Sequence, residues 1–227
     1  MRQHWSDHWL SVGILVSACL AILGSGATDA TIALHYVFKP LTTILIFGVA
    51  WRAVTAVPRY RRMILLGIAF SCCGDIFLML PPSLLATGFL LGLSSFLIAH
   101  LCFLYAFSLD TRLLSKPAVL LLLGAIGTVI VAFIWPGLNA DLKAPVVVYL
   151  ICLVAMATQA ITRQLRWHQY GCALAAVGGV VFMLSDSLLA LNKFHAPLVG
   201  SGWLILGTYY SALLLIAHSV RFNTVKH

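Results

Sequence analysis

Long apolar runs separated by short polar gaps dominate the chain. Eight stretches consist mainly of hydrophobic residues: 9–27, 34–51, 63–80, 84–107, 117–135, 144–162, 170–191 and 198–220. An α-helix needs about 20 apolar residues to cross a bilayer, because each residue rises about 1.5 Å through a hydrocarbon layer about 30 Å thick. The pattern therefore predicts an all-α, polytopic membrane protein with eight transmembrane helices.

The gaps between the runs are short and contain residues that break helices. Prolines stand at or near the ends of several runs: Pro58, Pro81, Pro82, Pro117, Pro136 and Pro197. Proline lacks a backbone N–H and favours the first turn or the end of a helix. Since no gap is long enough to fold separately, we expect residues 1–227 to form a single transmembrane domain.

Basic residues are unevenly divided between alternate gaps. Of the 14 lysines and arginines, 11 lie in the N-terminal segment, in the gaps at 52–62, 108–116 and 163–169, and in the C-terminal segment, whereas the other side keeps Lys39, Lys143 and Lys193. Short cytoplasmic loops carry such an excess of positive charge. We therefore predict that the N and C termini are both cytoplasmic.

Composition agrees with this class of protein. The chain is 62% hydrophobic and 9% charged, and its mean hydropathy is +1.02. A net charge of +8 could indicate a nucleic-acid partner. Because the basic residues occupy the gaps between apolar runs rather than one surface, we expect no nucleic-acid binding and interpret them as topology signals.

The remaining sequence features predict neither a cofactor nor a processed leader. The six cysteines lie inside apolar runs without a C-x-x-C pair, so neither a disulfide framework nor a metal site is indicated. The first run, followed by small residues at 26–30, could be a signal peptide. Its charged segment is weak and the run is long, which favours a retained first helix.

Two short segments that lie four helices apart are similar in sequence. Cys73-Gly74-Asp75-Ile76-Phe77-Leu78 resembles Leu184-Ser185-Asp186-Ser187-Leu188-Leu189, in the same predicted orientation. Parallel repeats of this kind occur in membrane proteins. A parallel duplication of four plus four helices is one interpretation, and chance similarity is the other.

Four Lys, Asp or His residues lie at least five residues inside the ends of the predicted spans: Lys39, Asp75, His100 and Asp186. Each costs at least about 2.5–3.5 kcal/mol inside hydrocarbon, which makes each a functional candidate. Lys39, Asp75 and Asp186 each lie five residues inside the outer end of a predicted helix, or about 7–8 Å deep. Their common level indicates a shared site.

Structural roles compete with this hypothesis. Lys39 could extend its ammonium to the headgroups, the aspartates could form a static charge pair with it, and His100 could be a hydrogen-bonded core residue. Three tyrosines are as consistent with interhelical hydrogen bonds as with a pocket lining: Tyr149, Tyr209 and Tyr210.

Two neighbouring carboxyl groups in a low-dielectric site cannot both ionise cheaply. One is therefore expected to hold a proton while the other stays charged against Lys39. A general acid beside a carboxylate is the arrangement needed to hydrolyse an acid-labile ether, because protonation creates an oxocarbenium-like centre that the carboxylate stabilises and water attacks.

Several blocks, in order along the chain, resemble the YhhN-type lysoplasmalogenase family. They are Phe38-Lys39-Pro40-Leu41, Gly74-Asp75, Phe96-Leu97-Ile98-Ala99-His100, Phe182-Met183-Leu184-Ser185-Asp186-Ser187 and Thr208-Tyr209-Tyr210. The resemblance implies an eight-helix membrane enzyme that cleaves the vinyl ether bond of lysoplasmalogens, or of a related lyso-lipid, and we expect it in the bacterial inner membrane. It also implies that Lys39, Asp75, His100 and Asp186 form the polar set of the site.

We accordingly predict a lyso-lipid hydrolase, embedded among membrane lipids, without a cofactor or a metal. Asp75 and Asp186 are the predicted catalytic residues. The predicted substrate-binding residues are Lys39, His100, Tyr149, Tyr209 and Tyr210. Two other classes compete with this interpretation: a small-solute or lipid transporter with a proton-coupled intramembrane site, and a structural membrane protein held by a charge pair.

Overall fold

Helices account for nearly all of the part of the chain that the structure describes. The computed structural model describes residues 2–25, 31–81, 83–85 and 87–223. In these ranges the helices are α1 (Arg2–Ser25), α2 (Ile32–Arg52), α3 (Pro58–Met79), α4 (Gly88–Phe107), α5 (Pro117–Ile134), α6 (Ala140–Trp167), α7 (Tyr170–Phe194) and α8 (Ser201–Ser219). A short 3-10 helix, Trp135–Gly137, follows α5. The small residues at 26–30 and the C-terminal residues 224–227 lie outside the described ranges.

The predicted class is confirmed. Among the described residues, eight helices are long and apolar enough to cross a membrane, and no strand is present. In lipid, a helix satisfies its backbone hydrogen bonds within itself, which is why an apolar chain of this length adopts helices throughout. The protein is a multi-pass integral membrane protein.

Helical hairpins form the framework that positions the site. The most extensive contacts join α1 with α2, α3 with α4, and α7 with α8. Helix α6 packs against α4, α5 and α7, while α8 returns to contact α2 and α1. As a result α2, α3 and α8 meet on one side of the bundle, and α4, α6 and α7 meet on the other.

Small residues permit the close approach of helices at several of these contacts. A Cβ at Gly92 on α4 would lie 2.7 Å from the Leu78 side chain of α3, and a Cβ at Gly178 on α7 would lie 3.0 Å from the Ala212 carbonyl of α8. At Gly124 on α5, a Cβ would meet no described atom within 4 Å. Gly124 is therefore not a packing residue within the described chain.

Candidate active site

Asp75 lies at the centre of a polar cluster formed by α2, α3 and α8. Its Oδ2 accepts hydrogen bonds from the Tyr209 hydroxyl at 2.7 Å and the Thr43 hydroxyl at 2.9 Å. Its Oδ1 lies 3.5 Å from the Lys39 ammonium. Asp75 is 1% exposed, and both of its oxygens have partners from neighbouring helices.

Helical spacing on α2 explains this cluster. Lys39 and Thr43 are four residues apart, so they lie on one face of the helix and both reach Asp75 on α3. Lys39 is 9% exposed. The structure therefore turns its side chain towards a carboxylate of the bundle rather than towards the headgroups.

Asp186 lies in a second cluster, formed by α4, α6 and α7. The Tyr149 hydroxyl donates a hydrogen bond of 2.6 Å to Asp186 Oδ2. His100 Nε2 is 3.6 Å from the same oxygen, and the rings of His100 and Tyr149 meet edge to face with centroids 5.2 Å apart. In the described part of the chain Asp186 Oδ1 accepts no hydrogen bond, which leaves that oxygen available to a ligand.

Aromatic rings lie between the two clusters. The Phe182 ring contacts His100 on one side and Tyr209 on the other, with centroid separations of 4.7 Å and 5.6 Å. Phe96 also contacts Tyr209, at 5.9 Å, and Gly74 leaves room for it, since a Cβ there would lie 2.6 Å from the Phe96 ring. The two aspartates therefore have different partners and are separated by packed aromatic side chains.

Tyr210 takes part in neither set of carboxylate hydrogen bonds among the described contacts. Its ring packs against Tyr209 with centroids 5.3 Å apart, and the residue is 5% exposed. Tyr149 and Tyr209, by contrast, each donate to one aspartate. Of the three predicted tyrosines, these two are the ones that the structure brings to the ionisable residues.

A cavity of about 80 Å³ adjoins the Asp186 cluster, within a void of about 690 Å³ that includes its open mouth. Its wall is almost entirely apolar, with residues from α3 to α7, and Asp186 and Tyr149 are among the lining residues. An apolar wall with a few convergent polar groups is typical of small-molecule sites. Lys39 and Asp75 are not among the lining residues, so the structure does not place all three predicted groups in one cavity.

Sequence reasoning did not single out Lys193 as a site residue, yet this residue lines the same cavity. Lys193 follows Asp186 by seven residues on α7, and the i, i+7 spacing that puts both on one helix face was visible in the sequence. The lysine was interpreted only as a topology signal, because it falls at the predicted end of the helix.

The model of the YhhN family matches residues 34–220. The chain belongs to the YhhN family. The match includes every helix that contributes to the two carboxylate clusters and to the cavity. The resemblance found in the sequence blocks is therefore confirmed over most of the chain.

Curated relatives are similar over most of their own lengths. Lysoplasmalogenase TMEM86B of Homo sapiens is 28% identical over 217 residues, which cover 96% of this chain and 88% of that protein. The lysoplasmalogenase of Mycobacterium bovis is 30% identical over 197 residues, covering 84% of this chain and 71% of that protein. Lysoplasmalogenase TMEM86B of Sus scrofa is 31% identical over 183 residues, covering 80% and 72%. No solved structure matches this YhhN chain.

The arrangement provides a carboxyl group with one available oxygen in the wall of an apolar cavity. A carboxyl group there can donate a proton to a bound ligand and take one back from water. Among the described residues, no group of three or more His, Cys, Asp and Glu side chains could hold a metal ion. In this YhhN site, carboxyl, phenol and imidazole groups are the chemistry that the protein itself supplies.

Proposed function

We propose that this chain is a lysoplasmalogenase, which hydrolyses the vinyl ether bond of lysoplasmalogens or of a closely related lyso-lipid. The observation that carries the proposal is the position of Asp186, whose carboxyl group lies in the wall of an apolar cavity within the membrane-spanning bundle. The names of the curated relatives support it. The products are a fatty aldehyde and a glycerophospho-headgroup.

Asp186 is the proposed acid and base of the reaction. In its protonated form it transfers a proton from Oδ1 to the β-carbon of the vinyl ether, where the alkene electrons form the new C–H bond. The α-carbon becomes an oxocarbenium centre beside the carboxylate. Water then bonds to that carbon while its proton goes to Asp186, and microscopic reversibility assigns both transfers to the same group.

The resulting hemiacetal collapses by breaking its bond to the glycerol oxygen. Its hydroxyl proton passes through Asp186 to the departing oxygen, which leaves as a free hydroxyl group, and the remaining carbon becomes the aldehyde. No redox partner or cofactor is needed, because the net reaction consumes one vinyl ether and one water.

Tyr149 and His100 are proposed to orient this carboxyl group. The Tyr149 hydrogen bond of 2.6 Å holds Oδ2, so that Oδ1 is the oxygen presented to the ligand. His100 is fully buried between Tyr149 and Phe182. Its Nε2, 3.6 Å from Oδ2, is close enough to form a hydrogen bond after a small movement when the substrate binds.

Asp75, the other carboxylate predicted to be catalytic, is proposed to act as a positioning residue from outside the cavity. It is paired with Lys39 and holds the Tyr209 hydroxyl. Tyr209 in turn packs against Phe182, the ring that also contacts His100. We propose that the ion pair fixes this aromatic layer, and that Tyr210 packs behind Tyr209 as part of it.

The substrate is proposed to enter from the membrane that surrounds the helices. A lyso-lipid has one long apolar chain and a polar headgroup, and an apolar cavity within a membrane-spanning bundle suits such a molecule. We further propose that the protein lies in a bacterial inner membrane. Both termini are proposed to be cytoplasmic, because the excess of Lys and Arg lies on the side of the termini.

The direct test is aldehyde release by the purified protein in detergent. The wild type should release a fatty aldehyde from a 1-alkenyl lyso-lipid, and Asp186→Asn should lower kcat roughly 10²–10⁴-fold, as expected for loss of a general acid. Asn192→Asp, the reverse exchange of amide and carboxyl group elsewhere on α7, keeps the acceptor for the Leu198 N–H and is the matched control, with wild-type kcat expected. Full activity in Asp186→Asn would contradict the mechanism.

The same assay separates the competing class of proteins. A transporter moves its solute between two compartments without hydrolysing it. In detergent, where the compartments are absent, it would therefore release no aldehyde. A folded wild-type protein that releases no product from vinyl ether or ester lyso-lipids would therefore overturn the proposed function.

A further inference from the structure

Lys193 and Asp186 line the same cavity and lie on the same helix. Both residues contribute to the wall, and α7 runs without interruption from Tyr170 to Phe194. Seven residues correspond to about 10 Å along a helix and to nearly two full turns, so the two side chains leave the same face of α7 at two depths.

Lys193 is positioned at the end of the helix by aromatic rings rather than by an acid. Its Nζ lies 4.7 Å from the centroid of the Phe89 ring and 5.9 Å from that of Phe194. Among the described contacts it forms no salt bridge with a carboxylate. The ammonium is exposed and therefore accessible to an anionic group of a ligand.

Lys193 is also the one residue with a permanent positive charge among those that line the cavity in the described chain. The other two lysines on the predicted outer side have different surroundings. Lys39 is buried against Asp75, and Lys143 stacks over Trp135 at 4.9 Å without lining the cavity.

The separation of the two residues fits the spacing of a glycerophospholipid. About seven bonds join the phosphorus atom to the vinyl carbon that receives the proton, and an extended chain advances about 1.2 Å per bond, so this distance is roughly 8 Å. A phosphate held by Lys193 would therefore bring the vinyl ether to the level of Asp186. An ammonium is a suitable point charge for a phosphate oxygen.

We propose that Lys193 binds the headgroup phosphate of the lyso-lipid and thereby sets the depth at which the vinyl ether meets Asp186. This inference rests on the proposed function. It makes Lys193 a specificity-determining residue, which selects substrates with a phosphate about three carbons from the ether oxygen over uncharged alkenyl glycerols of the same chain length.

The test compares two substrates that differ only in the phosphate. The purified enzyme, in an uncharged detergent, is given a 1-alkenyl-glycerophosphocholine and the corresponding 1-alkenylglycerol. Lys193→Gln should raise KM for the phosphocholine substrate by roughly 10-fold or more, the loss expected for a charged hydrogen bond, and leave KM for the alkenylglycerol unchanged. Lys193→Arg should keep most of the discrimination.

Lys143→Gln is the matched control, because it removes one positive charge from the same end of the bundle without altering the cavity wall. It should retain wild-type values for both substrates. Binding of glycerophosphocholine as a competitor tests the headgroup alone, and it too should weaken in Lys193→Gln. Inorganic phosphate shows whether the free anion suffices or the glycerol spacer is required; stronger competition by phosphate than by glycerophosphocholine would contradict the proposed spacing.

Three results would overturn the assignment while leaving the function intact. An active wild type with equal kcat/KM for the two substrates would show that the phosphate is not recognised. Unchanged KM in Lys193→Gln, or an equal loss on both substrates, would show that Lys193 is neutral or merely structural. If the wild type hydrolyses neither substrate, the proposed function itself fails.

Discussion

Tyr149 and Asp186, 37 residues apart in the sequence, are joined by a 2.6 Å hydrogen bond between α6 and α7. This bond fixes Oδ2 of the carboxyl group, and both residues line the apolar cavity. A hydrogen bond in a low-dielectric site is stronger than the same bond in water. The orientation of the proposed catalytic group therefore depends strongly on this phenol.

Replacement of that phenol gives the first prediction. Tyr149→Phe keeps the ring that contacts His100 but removes the donor, so we expect kcat to fall about 10–100-fold with little loss of stability. The measurement is aldehyde release at saturating substrate. Tyr170→Phe, an exposed tyrosine at the start of α7, is the control, and equal activity in the two variants would contradict the role of Tyr149.

The buried pair of Lys39 and Asp75 gives the second prediction. Asp75→Asn leaves the ammonium without its carboxylate, and we expect a loss of about 3 kcal/mol in the free energy of unfolding. The double variant Lys39→Met, Asp75→Asn removes both charges and should recover part of that loss. Thermal unfolding in detergent measures each value, with Lys143→Met as the control.

Substitutions of Asp186 and Asp75 should have different effects on turnover and on stability. Asp186→Asn should lower kcat with a small effect on stability, because its carboxyl group faces the cavity. Asp75→Asn should lower stability first. Equal destabilisation by both substitutions, with no change in turnover per folded molecule, would favour a structural protein held by a charge pair.

The orientation of the chain is the fourth prediction. Because the excess of Lys and Arg lies on the side of the termini, alkaline phosphatase fused to the C terminus should be inactive in a bacterial host, and green fluorescent protein fused there should fluoresce. A fusion after Asn139, between α5 and α6, should give the reverse result. The same result at both positions would contradict the predicted topology.

The helices could be predicted because each apolar run is long enough to span a bilayer, and their ends could not be predicted as well. Helix α6 extends from Ala140 to Trp167 rather than 144–162, since polar residues continue a helix beyond the hydrocarbon and do not register as apolar. Helix α4 begins at Gly88 rather than at 84, because the backbone N–H groups of Leu84 and Leu85 turn back to the Pro81 carbonyl at 2.9 Å and 3.1 Å.

The contact of Lys39 with Asp75 could be predicted from depth, but the arrangement of the site around the bundle could not. Counting residues from helix ends placed Lys39 and Asp75 at one level, and their 3.5 Å contact agrees with this. The same count placed Asp186 at that level too, yet Phe182 stands between the two clusters. Distance along a helix gives depth, whereas the neighbours of a side chain depend on how eight helices pack.

The parallel four-plus-four repeat stays a prediction, and the partners of the aspartates support it. Asp75 on α3 accepts from α2 and α8, and Asp186 on α7 accepts from α6 and faces α4. A shift of four helices, with α8 returning to α4, converts one set into the other. Pro40 and Pro145 also lie about one turn before the α2 and α6 donors.

Arg163, at the opposite end of α6 from Tyr149, gives the last prediction. It is 1% exposed, and its guanidinium donates to Asp110 at 2.7–3.0 Å and to Asn223 at 2.5 Å, which ties the segment after α4 and the segment after α8 to α6. Arg163→Met should lower the free energy of unfolding by about 2–3 kcal/mol, less than a fully buried pair because Asp110 is partly exposed. The cluster lies 14 residues, or about 21 Å, along the helix from Tyr149, so kcat per folded molecule should be unchanged. The measurements are thermal unfolding and aldehyde release, with the exposed Arg166→Met as the control. Reduced turnover in Arg163→Met without reduced stability would contradict this role.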